Sequence, residues 1–215
     1  MSRDHLPCPL PGREGVLSRT LTKKLRTGRP LRKQRRKADQ RAPRFAVPAT
    51  LIDDRPAVVE LRGRAGDWEG DLITGRSNRT AIATLVDRRT RFVRLVALPD
   101  GHGADQVHAR LTEAMRDVPV TARMTLTWDQ GAEMACHDRL APLFSDGVFV
   151  AHRGSPWQRG TNENTTACSA CRKGSDLSVH TAADLRAIEV RLNNRPRKTL
   201  GWRTPAELFA DALTA

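Results

Sequence analysis

Three short apolar segments, each rich in β-branched residues, follow one another in the first half of the sequence. They cover Trp68–Thr74, Thr80–Asp87 and Phe92–Leu98, and turns separate them. Segments of this length and composition predict β-strands that pair with their neighbours. The sequence therefore predicts an antiparallel meander of three strands. Because side chains alternate along a strand, Glu69 and Asp71 share one face of the first strand.

The rest of the sequence alternates between helical and strand patterns. Apolar residues recur at helical spacing in Gly103–Val118 and in Thr181–Asn193, where Thr181 and Asp184 fit a capping box. Two more strands are predicted at Met124–Trp128 and Val148–Ala151. Three more helices are predicted at Ala132–Phe144, Gln158–Ala170 and Thr204–Leu213. The sequence contains no internal repeat.

Positive charge is concentrated at the N-terminal end. Residues 1–48 contain 14 Lys and Arg against 3 Asp and Glu, whereas the remaining residues contain 23 against 21. This segment also holds six prolines and no sustained apolar periodicity. We therefore expect a largely irregular basic arm over 1–48 and a folded domain over 49–215.

A basic segment of this kind is typical of nucleic-acid binding, because cationic side chains release counterions from the phosphate backbone. The densest run supplies the candidate DNA-binding residues Arg29, Arg32, Lys33, Arg35, Arg36 and Lys37. A disordered tail without a partner is the alternative.

Hydropathy and the cysteine pattern indicate where in the cell the protein is located and whether it binds zinc. The sequence has neither a signal-peptide pattern nor an apolar run of membrane-spanning length, so we expect a cytoplasmic protein. Cys168 and Cys171 form a C-x-x-C pair, but no second pair or His-x-x-x-His pattern follows at the spacing of a structural zinc site. We therefore do not expect zinc.

Three carboxylates occupy positions suited to a divalent metal. Asp71 lies inside an apolar strand, Asp129 directly follows a predicted strand, and Glu163 lies in a predicted helix. A buried carboxylate needs a partner, and carboxylate oxygens are ligands that Mg²⁺ prefers. Two such ions about 4 Å apart would activate the attacking oxygen and stabilise the leaving oxygen of a phosphoryl displacement.

Each carboxylate also has a structural interpretation. Asp71 would pair with an arginine, for which the candidates are Arg62, Arg79 and Arg94. Asp129 would cap the following helix, and Glu163 would interact with the dipole of its own helix. The joint occurrence of the three carboxylates in this order favours the metal site.

Five motifs carry a family resemblance. They are GDWEGDLITG, ATLVDRRTRF, LTWDQGAEM, SPWQRGTNENT and NNRPRKTLGWRTPAE, which begin at residues 66, 83, 126, 155 and 193. From about Leu25 to the C-terminus, the sequence resembles the bacterial DDE transposases of the insertion-sequence-thirty family. The 33 residues between Asp129 and Glu163 match the spacing of that family's D-D-E signature.

The resemblance implies an α/β, ribonuclease-H-like fold of the integrase catalytic core type, with a mixed sheet and flanking helices. It also implies that Asp71, Asp129 and Glu163 form the catalytic triad and hold two Mg²⁺ or Mn²⁺ ions. A homo-oligomer would then cut and join DNA ends at the bacterial nucleoid.

Further residues are candidates for contact with DNA. One group lies within the five residues before Glu163 and comprises Gln158, Arg159 and Asn162. The other group follows a predicted helix end, where its side chains fit phosphate contacts, and comprises Arg195, Arg197 and Lys198. A solvated charge run is the alternative for the second group. Trp157 is either a DNA contact or a core anchor, and Trp202 is expected to pack in the core.

The sequence departs from the family pattern in three places. Met1–Ser18 is proline-rich where the family has helix-turn-helix modules, Gly154 takes the place of a histidine, and residues 166–173 lack the family's large apolar side chains. These departures suggest a truncated copy, either active or inactive. The prediction is a transposase that cleaves DNA and transfers strands. The alternatives are a non-catalytic DNA-binding remnant and a metal-dependent nuclease without strand transfer.

Overall fold

The computed structural model describes residues 45–76, 79–160 and 176–214, all within the compact unit Pro43–Ala215. The predictions for the basic arm, for Asn162 and Glu163, for Cys168 and Cys171 and for segment 166–173 lie outside the described residues.

A mixed sheet of six strands lies at the centre of the fold. Its strands are β1 Thr50–Leu51, β2 Asp67–Thr74, β3 Ala81–Asp87, β4 Val93–Leu98, β5 Thr125–Trp128 and β6 Gly147–Val150. Their order across the sheet is β1-β6-β5-β2-β3-β4. The predicted antiparallel meander of β2, β3 and β4 is confirmed, and β5, β6 and β1 continue the sheet parallel to β2. The sequence does not predict β1, because two residues carry no alternation.

Helices cover both faces of the sheet. They are α1 Ala57–Glu60, α2 Ala104–Arg116, α3 His137–Leu140, α4 Ala182–Asn193 and α5 Pro205–Thr214. The predicted helices that correspond to α2, α4 and α5 are confirmed, and the capping box of Thr181 and Asp184 starts α4. No helix in the described part of the chain is long and apolar enough to cross a membrane.

The single helix predicted over Ala132–Phe144 is wrong. Two 3-10 turns, Ala132–Met134 and Ala141–Leu143, flank the short helix α3. Cys136 leaves the helical region with φ −100° and ψ 29°, and Pro142 has no backbone N–H to donate. The segment is therefore a chain of short turns rather than a continuous helix.

Side chains of β2 point alternately to the two faces of the sheet, and each face has its own apolar cluster. Trp68 and Leu72 belong to the main core with the apolar stripe of α2, whereas Ile73 packs on the other face in the apolar cluster that contains Leu185 and Ile188 of α4. Gly70 lies on the main-core side, where a Cβ would lie 1.9 Å from the Trp128 ring. The absence of a side chain at Gly70 therefore lets Trp128 pack directly against β2.

Helix α4 covers the open edge of the sheet at β4. The Asn193 side chain accepts a hydrogen bond from the Val93 N–H (2.8 Å) and donates one to the Val93 carbonyl (2.9 Å). Glu189 accepts another from the Leu95 N–H (3.0 Å). An exposed edge strand is a template for pairing with other chains, and these side chains occupy its polar groups. Beyond α4 the chain passes to the other face, where Phe209 of α5 stacks on Phe92 with ring centroids 4.4 Å apart.

Candidate active site

Asp71 lies in β2, and Asp129 directly follows β5, the parallel neighbour of β2. The register pairs Asp67 with Thr125 and Glu69 with Thr127. Continuing this offset by two residues, beyond the end of β5, would place Asp129 beside Asp71 on the same face. Adjacent strands are about 4.8 Å apart, so the two side chains start from neighbouring positions. Both residues are partly exposed, and their oxygen donors suit a hard cation such as Mg²⁺.

Glu133 is a further carboxylate beside Asp129. The Trp128 indole N–H donates to Glu133 Oε1 (3.4 Å), and the Gly131 N–H donates to Asp129 Oδ1 (3.0 Å). Burial raises the pKa of Glu133, and the negative charge of Asp129 raises it further. The position of Glu133 four residues after Asp129 is the only sequence signal for this pair.

The contact between Asp129 and Gly131 bears on the helix-cap alternative. The 3-10 turn after Asp129 begins at Ala132, and the residue before it is Gly131, which makes no side-chain cap. Asp129 therefore closes the turn that precedes this element instead of capping it. Among the described residues, no three His, Cys, Asp or Glu side chains form a group that could hold a metal ion.

Arg94 is not a structural partner for Asp71. Arg94 pairs with Leu85 in the sheet register, and Leu85 pairs with Gly70, so Arg94 lies on the face opposite to Asp71. There its guanidinium approaches Asp117 (3.4 Å).

A buried ion pair lies directly beside the candidate site on the same face of β2. Glu69 is completely buried and pairs with Arg88, whose side chain is only 5% exposed. Arg88 also donates to the Val59 carbonyl (3.1 Å) and to Glu60 (3.3 Å). These contacts attach helix α1 to the sheet.

Arg55 extends this network to β5. Its Nη1 donates to Thr127 Oγ1 (2.8 Å), and its guanidinium also pairs with Glu60. Burial, followed by the charge of Arg88, lowers the pKa of Arg55 to about 10. Arg55 is therefore still protonated at neutral pH.

Two more buried carboxylates are Asp67, the first residue of β2, and Asp87, the last residue of β3. Asp67 accepts from Arg64 (3.1 Å) and from the Thr125 hydroxyl (2.8 Å). Asp87 accepts from the Gly66 N–H and from both the N–H and the hydroxyl of Thr90, each at 2.7 Å. Burial nevertheless raises the pKa of Asp87 to about 6. Arg64 and Thr90 lie three residues from the carboxylates that they bind, whereas Gly66 and Thr125 lie 21 and 58 residues away, and no local pattern predicts the distant partners.

A cavity of about 460 Å³ opens on the same face as the two carboxylates, with Glu69 and Arg88 among its walls. Trp157 and Gln158 of the 3-10 turn Pro156–Arg159 line it as well. Trp157 is 72% exposed, so the core-anchor interpretation is wrong. The Gln158 side chain accepts from the His152 N–H (2.9 Å).

The residue that departs from the family pattern lies near this cavity. Gly154 has φ +77°, a conformation that other residues rarely adopt. His152 lies two residues earlier, and its Nε2 is 2.6 Å from Asp53 Oδ2. The two side chains connect the segments that follow β6 and β1.

The remaining predicted DNA contacts fall into two groups. Arg195 and Lys198 are exposed after α4, and Arg197 is half-buried. Burial, followed by the charge of Arg195, lowers the pKa of Arg197. The second group lies outside the described residues and comprises Arg29, Arg32, Lys33, Arg35, Arg36, Lys37 and Asn162, while Arg159 is described in its backbone alone.

The prediction that Trp202 packs in the core is wrong. Its side chain is 70% exposed. Gly201 and Trp202 both have positive φ, 64° and 66°, in the turn that connects α4 to α5. This turn directs the indole away from the sheet.

Comparison with known proteins gives the sequence relationship. No family model matches the chain. It is 41% identical over 202 residues to the transposase of insertion sequence element IS1086 from Cupriavidus metallidurans, which covers 93% of this chain and 59% of that protein. It is 39% identical over 165 residues to transposase InsI of element IS30A from Escherichia coli (76% and 43%). It is 38% identical over 181 residues to the transposase of IS4351 from Bacteroides fragilis (83% and 55%).

Solved structures give the fold. The catalytic core domain of BIV integrase matches with a TM-score of 0.51 at 17% identity, over 70% of this chain and 97% of that one. A chain of the simian T-cell lymphotropic virus intasome matches with a TM-score of 0.52 at 15% identity, over 78% and 60%. The predicted ribonuclease-H-like fold is confirmed. The chain spans about half the length of the curated relatives that it matches. The family resemblance is confirmed as well: the chain is a relative of the transposases of the insertion-sequence-thirty family.

Proposed function

We propose that this chain is the catalytic region of a transposase that cuts and joins DNA strands with the help of Mg²⁺ or Mn²⁺. The observation that supports this most strongly is the parallel pairing of β2 and β5, whose register, if continued beyond β5, would bring Asp129 beside Asp71. The relatives with 38 to 41% identity are transposases, and the fold is that of an integrase core.

The proposed metal ligands are Asp71, Asp129 and Glu163. Asp71 would be shared between two ions, and Asp129 and Glu163 would each complete the coordination of one. When bound, such ions activate the attacking oxygen and stabilise the leaving oxygen of a phosphoryl transfer. The role of Glu163 follows from the motif spacing, since this residue lies outside the described part of the chain.

The surrounding residues would keep the first two carboxylates in place. The Gly131 N–H orients the Asp129 carboxylate, and the Trp128 ring packs against Gly70 and so fixes β5 relative to β2. The buried pair of Glu69 and Arg88 anchors the same face of β2. Rigid support of this kind is what a metal site requires, because small displacements of its ligands reduce affinity.

DNA is the proposed substrate, both as element ends and as target. The arm over 1–48 would add sequence-independent affinity through its Lys and Arg side chains, and 49–215 would form the catalytic domain. We further propose that the active form is a homo-oligomer, because transposition pairs two ends, and that it acts in the cytoplasm at the nucleoid.

The test is cleavage and joining of DNA that carries the ends of the encoding element, with Mg²⁺ or Mn²⁺ and the full chain. Asp71→Asn and Asp129→Asn should abolish both reactions. Asp117→Asn, at an exposed carboxylate whose pairing with Arg94 lies on the opposite face, is the matched control and should retain them.

Each alternative function gives its own result in the same assay. Binding without metal-dependent cleavage would identify a non-catalytic remnant. Cleavage without joining of a 3′ end would identify a nuclease. Either result would overturn the proposal.

A further inference from the structure

Three separate segments meet at the end of the sheet where β2 begins. The Arg88 guanidinium donates to the Val59 carbonyl, which attaches the turn between β3 and β4 to helix α1. The paired hydrogen bonds of Asn193 with Val93 attach the end of α4 to the start of β4. The residues just past α1, in the turn, and just past α4 are therefore held close together.

Each of these segments contributes arginine. Arg62 follows α1, Arg91 ends the turn, and Arg195 and Arg197 follow α4. Arg62 and Arg91 also adopt the left-handed conformation, with φ of 51° and 62°. Side chains other than glycine, asparagine and aspartate rarely adopt it, and such residues are concentrated at functional sites.

Within the part of the chain that the structure describes, these four arginines form no direct ion pair. Among the described residues, none of the four has a carboxylate oxygen within 4.0 Å. The nearby carboxylates Glu60 and Glu69 are already paired with Arg55 and Arg88. In the same part of the chain, Arg197 Nε is buried without a hydrogen-bond partner.

The electrostatics agree with this geometry. Burial, followed by the charge of Arg62, lowers the pKa of Arg91. The charge of Glu69 raises it, and the charges of Arg197 and Arg88 lower it further. Burial and the charge of Arg195 lower the pKa of Arg197. The guanidinium groups therefore repel one another, and a bound anion would relieve this repulsion.

We propose that Arg62, Arg91, Arg195 and Arg197 form a binding site for backbone phosphates of DNA, separate from the candidate metal site. The choice of DNA as the source of phosphate rests on the proposed function. Asp71 lies four residues along β2 from Asp67, or roughly 13 Å at the rise of a strand. Duplex DNA presents a phosphate about every 3.4 Å of axis on each strand. A duplex with its cut phosphate at Asp71 would thus place phosphates several nucleotides away over the arginines.

The test measures the salt dependence of DNA affinity in the full chain. A double variant, Arg91→Gln with Arg197→Gln, is compared with the control Arg110→Gln with Arg116→Gln, which removes the same charge from α2. A fluorescent 20-base-pair duplex is titrated by anisotropy at several salt concentrations. Loss of two phosphate contacts should reduce the slope of log affinity against log salt by about 1.8 and weaken binding at 0.1 M salt on the order of tens-fold. The control should leave the slope at the wild-type value.

Thermal unfolding separates binding from a structural role. Removing two mutually repelling charges should leave the Tm unchanged or raise it, while affinity for DNA falls. An unchanged slope, an equal loss in the control, or stabilisation of the wild type by inorganic phosphate without a difference in duplex binding would each overturn the proposal. If the first pair of substitutions prevents folding, Arg62→Gln with Arg195→Gln, at two exposed side chains, provides the same comparison.

DNA cleavage by the wild type, measured in parallel, distinguishes the two proposals. A reduced slope in the arginine variant without any wild-type cleavage would contradict the proposed function and leave the phosphate site standing. Cleavage by the wild type together with an unchanged slope would contradict the phosphate site alone.

Discussion

Glu69 and Asp71 lie two residues apart on the same face of β2, and their surroundings differ. Glu69 is completely buried and pairs with Arg88. Asp71 is partly exposed, and the strand register, continued beyond β5, would bring another carboxylate, Asp129, beside it. The first arrangement satisfies a negative charge inside the protein. The second gathers negative charge at the surface, where a cation from solution can bind. The position of a carboxylate relative to its neighbours therefore decides whether it supports the fold or the chemistry.

The largest effect on stability is expected at Glu69. Glu69→Gln should lower the free energy of unfolding by about 3–5 kcal/mol, because it leaves the buried Arg88 guanidinium without its charge partner. Glu60→Gln is the matched control, since Glu60 contacts the same arginine but its side chain is 63% exposed. It should cost less than about 1 kcal/mol. Urea unfolding of both variants measures the difference, and equal losses would contradict the distinction drawn between buried and exposed partners.

Asp87 is a buried carboxylate that accepts hydrogen bonds from the uncharged donors of Gly66 and Thr90, and its effect on stability should depend on pH. Its folded pKa is raised from 3.8 to about 6, so the protonated form is favoured in the folded protein. Its contribution to stability is therefore complete below pH 4 and is lost as pH rises from about 4 to 6. The loss amounts to about 3 kcal/mol at most. Asp87→Asn should flatten the stability profile in this range relative to wild type. A difference between the two proteins that does not change between pH 4 and 6 would refute this.

Unlike Glu69→Gln, the substitutions Asp71→Asn and Asp129→Asn should affect metal binding much more than the stability of the fold. Each should change the free energy of unfolding by no more than about 1 kcal/mol in the absence of metal, because both residues are partly exposed. Each should reduce stabilisation by Mn²⁺, which in the wild type grows with the logarithm of metal concentration. Thermal unfolding across a Mn²⁺ series tests this. A loss of stability as large as that of Glu69→Gln would show that these carboxylates serve the fold.

The smallest effect is expected at Glu133. Burial and the charge of Asp129 raise the pKa of Glu133, so in mild acid it adds less negative charge to the site than an ordinary glutamate would. Glu133→Gln should weaken Mn²⁺ binding only a fewfold near neutral pH, and the difference from wild type should shrink as pH falls. A difference that grows toward low pH would contradict this assignment.

Local patterns predict much of this fold, and long-range contacts explain what they miss. The meander of β2, β3 and β4 and the capping box of α4 follow from alternation and from residues three positions apart. The prediction that Asp71 and Asp129 lie close together rests on one carboxylate inside an apolar strand and another directly after a second strand. The ion pair of Glu69 and Arg88 connects residues 19 apart, and Arg55 meets Thr127 across 72 residues. No local pattern encodes such partners, because the sheet order brings them together.

The two exposed tryptophans are a second case in which the sequence pattern does not predict the structure. Both Trp157 and Trp202 are large and aromatic, which favours burial on composition alone. Their positions in a 3-10 turn and in a left-handed turn direct them into solvent instead. Turn geometry of this kind depends on where the flanking elements are packed, so the sequence pattern does not reveal it.

Calorimetric titration of the full chain with Mn²⁺ tests the central claim most directly. The wild type should bind the metal, Asp71→Asn and Asp129→Asn should each weaken binding at least tenfold, and Asp117→Asn should bind as the wild type does. Equal binding by the wild type and by both site variants would contradict the assignment of Asp71 and Asp129 as a metal site.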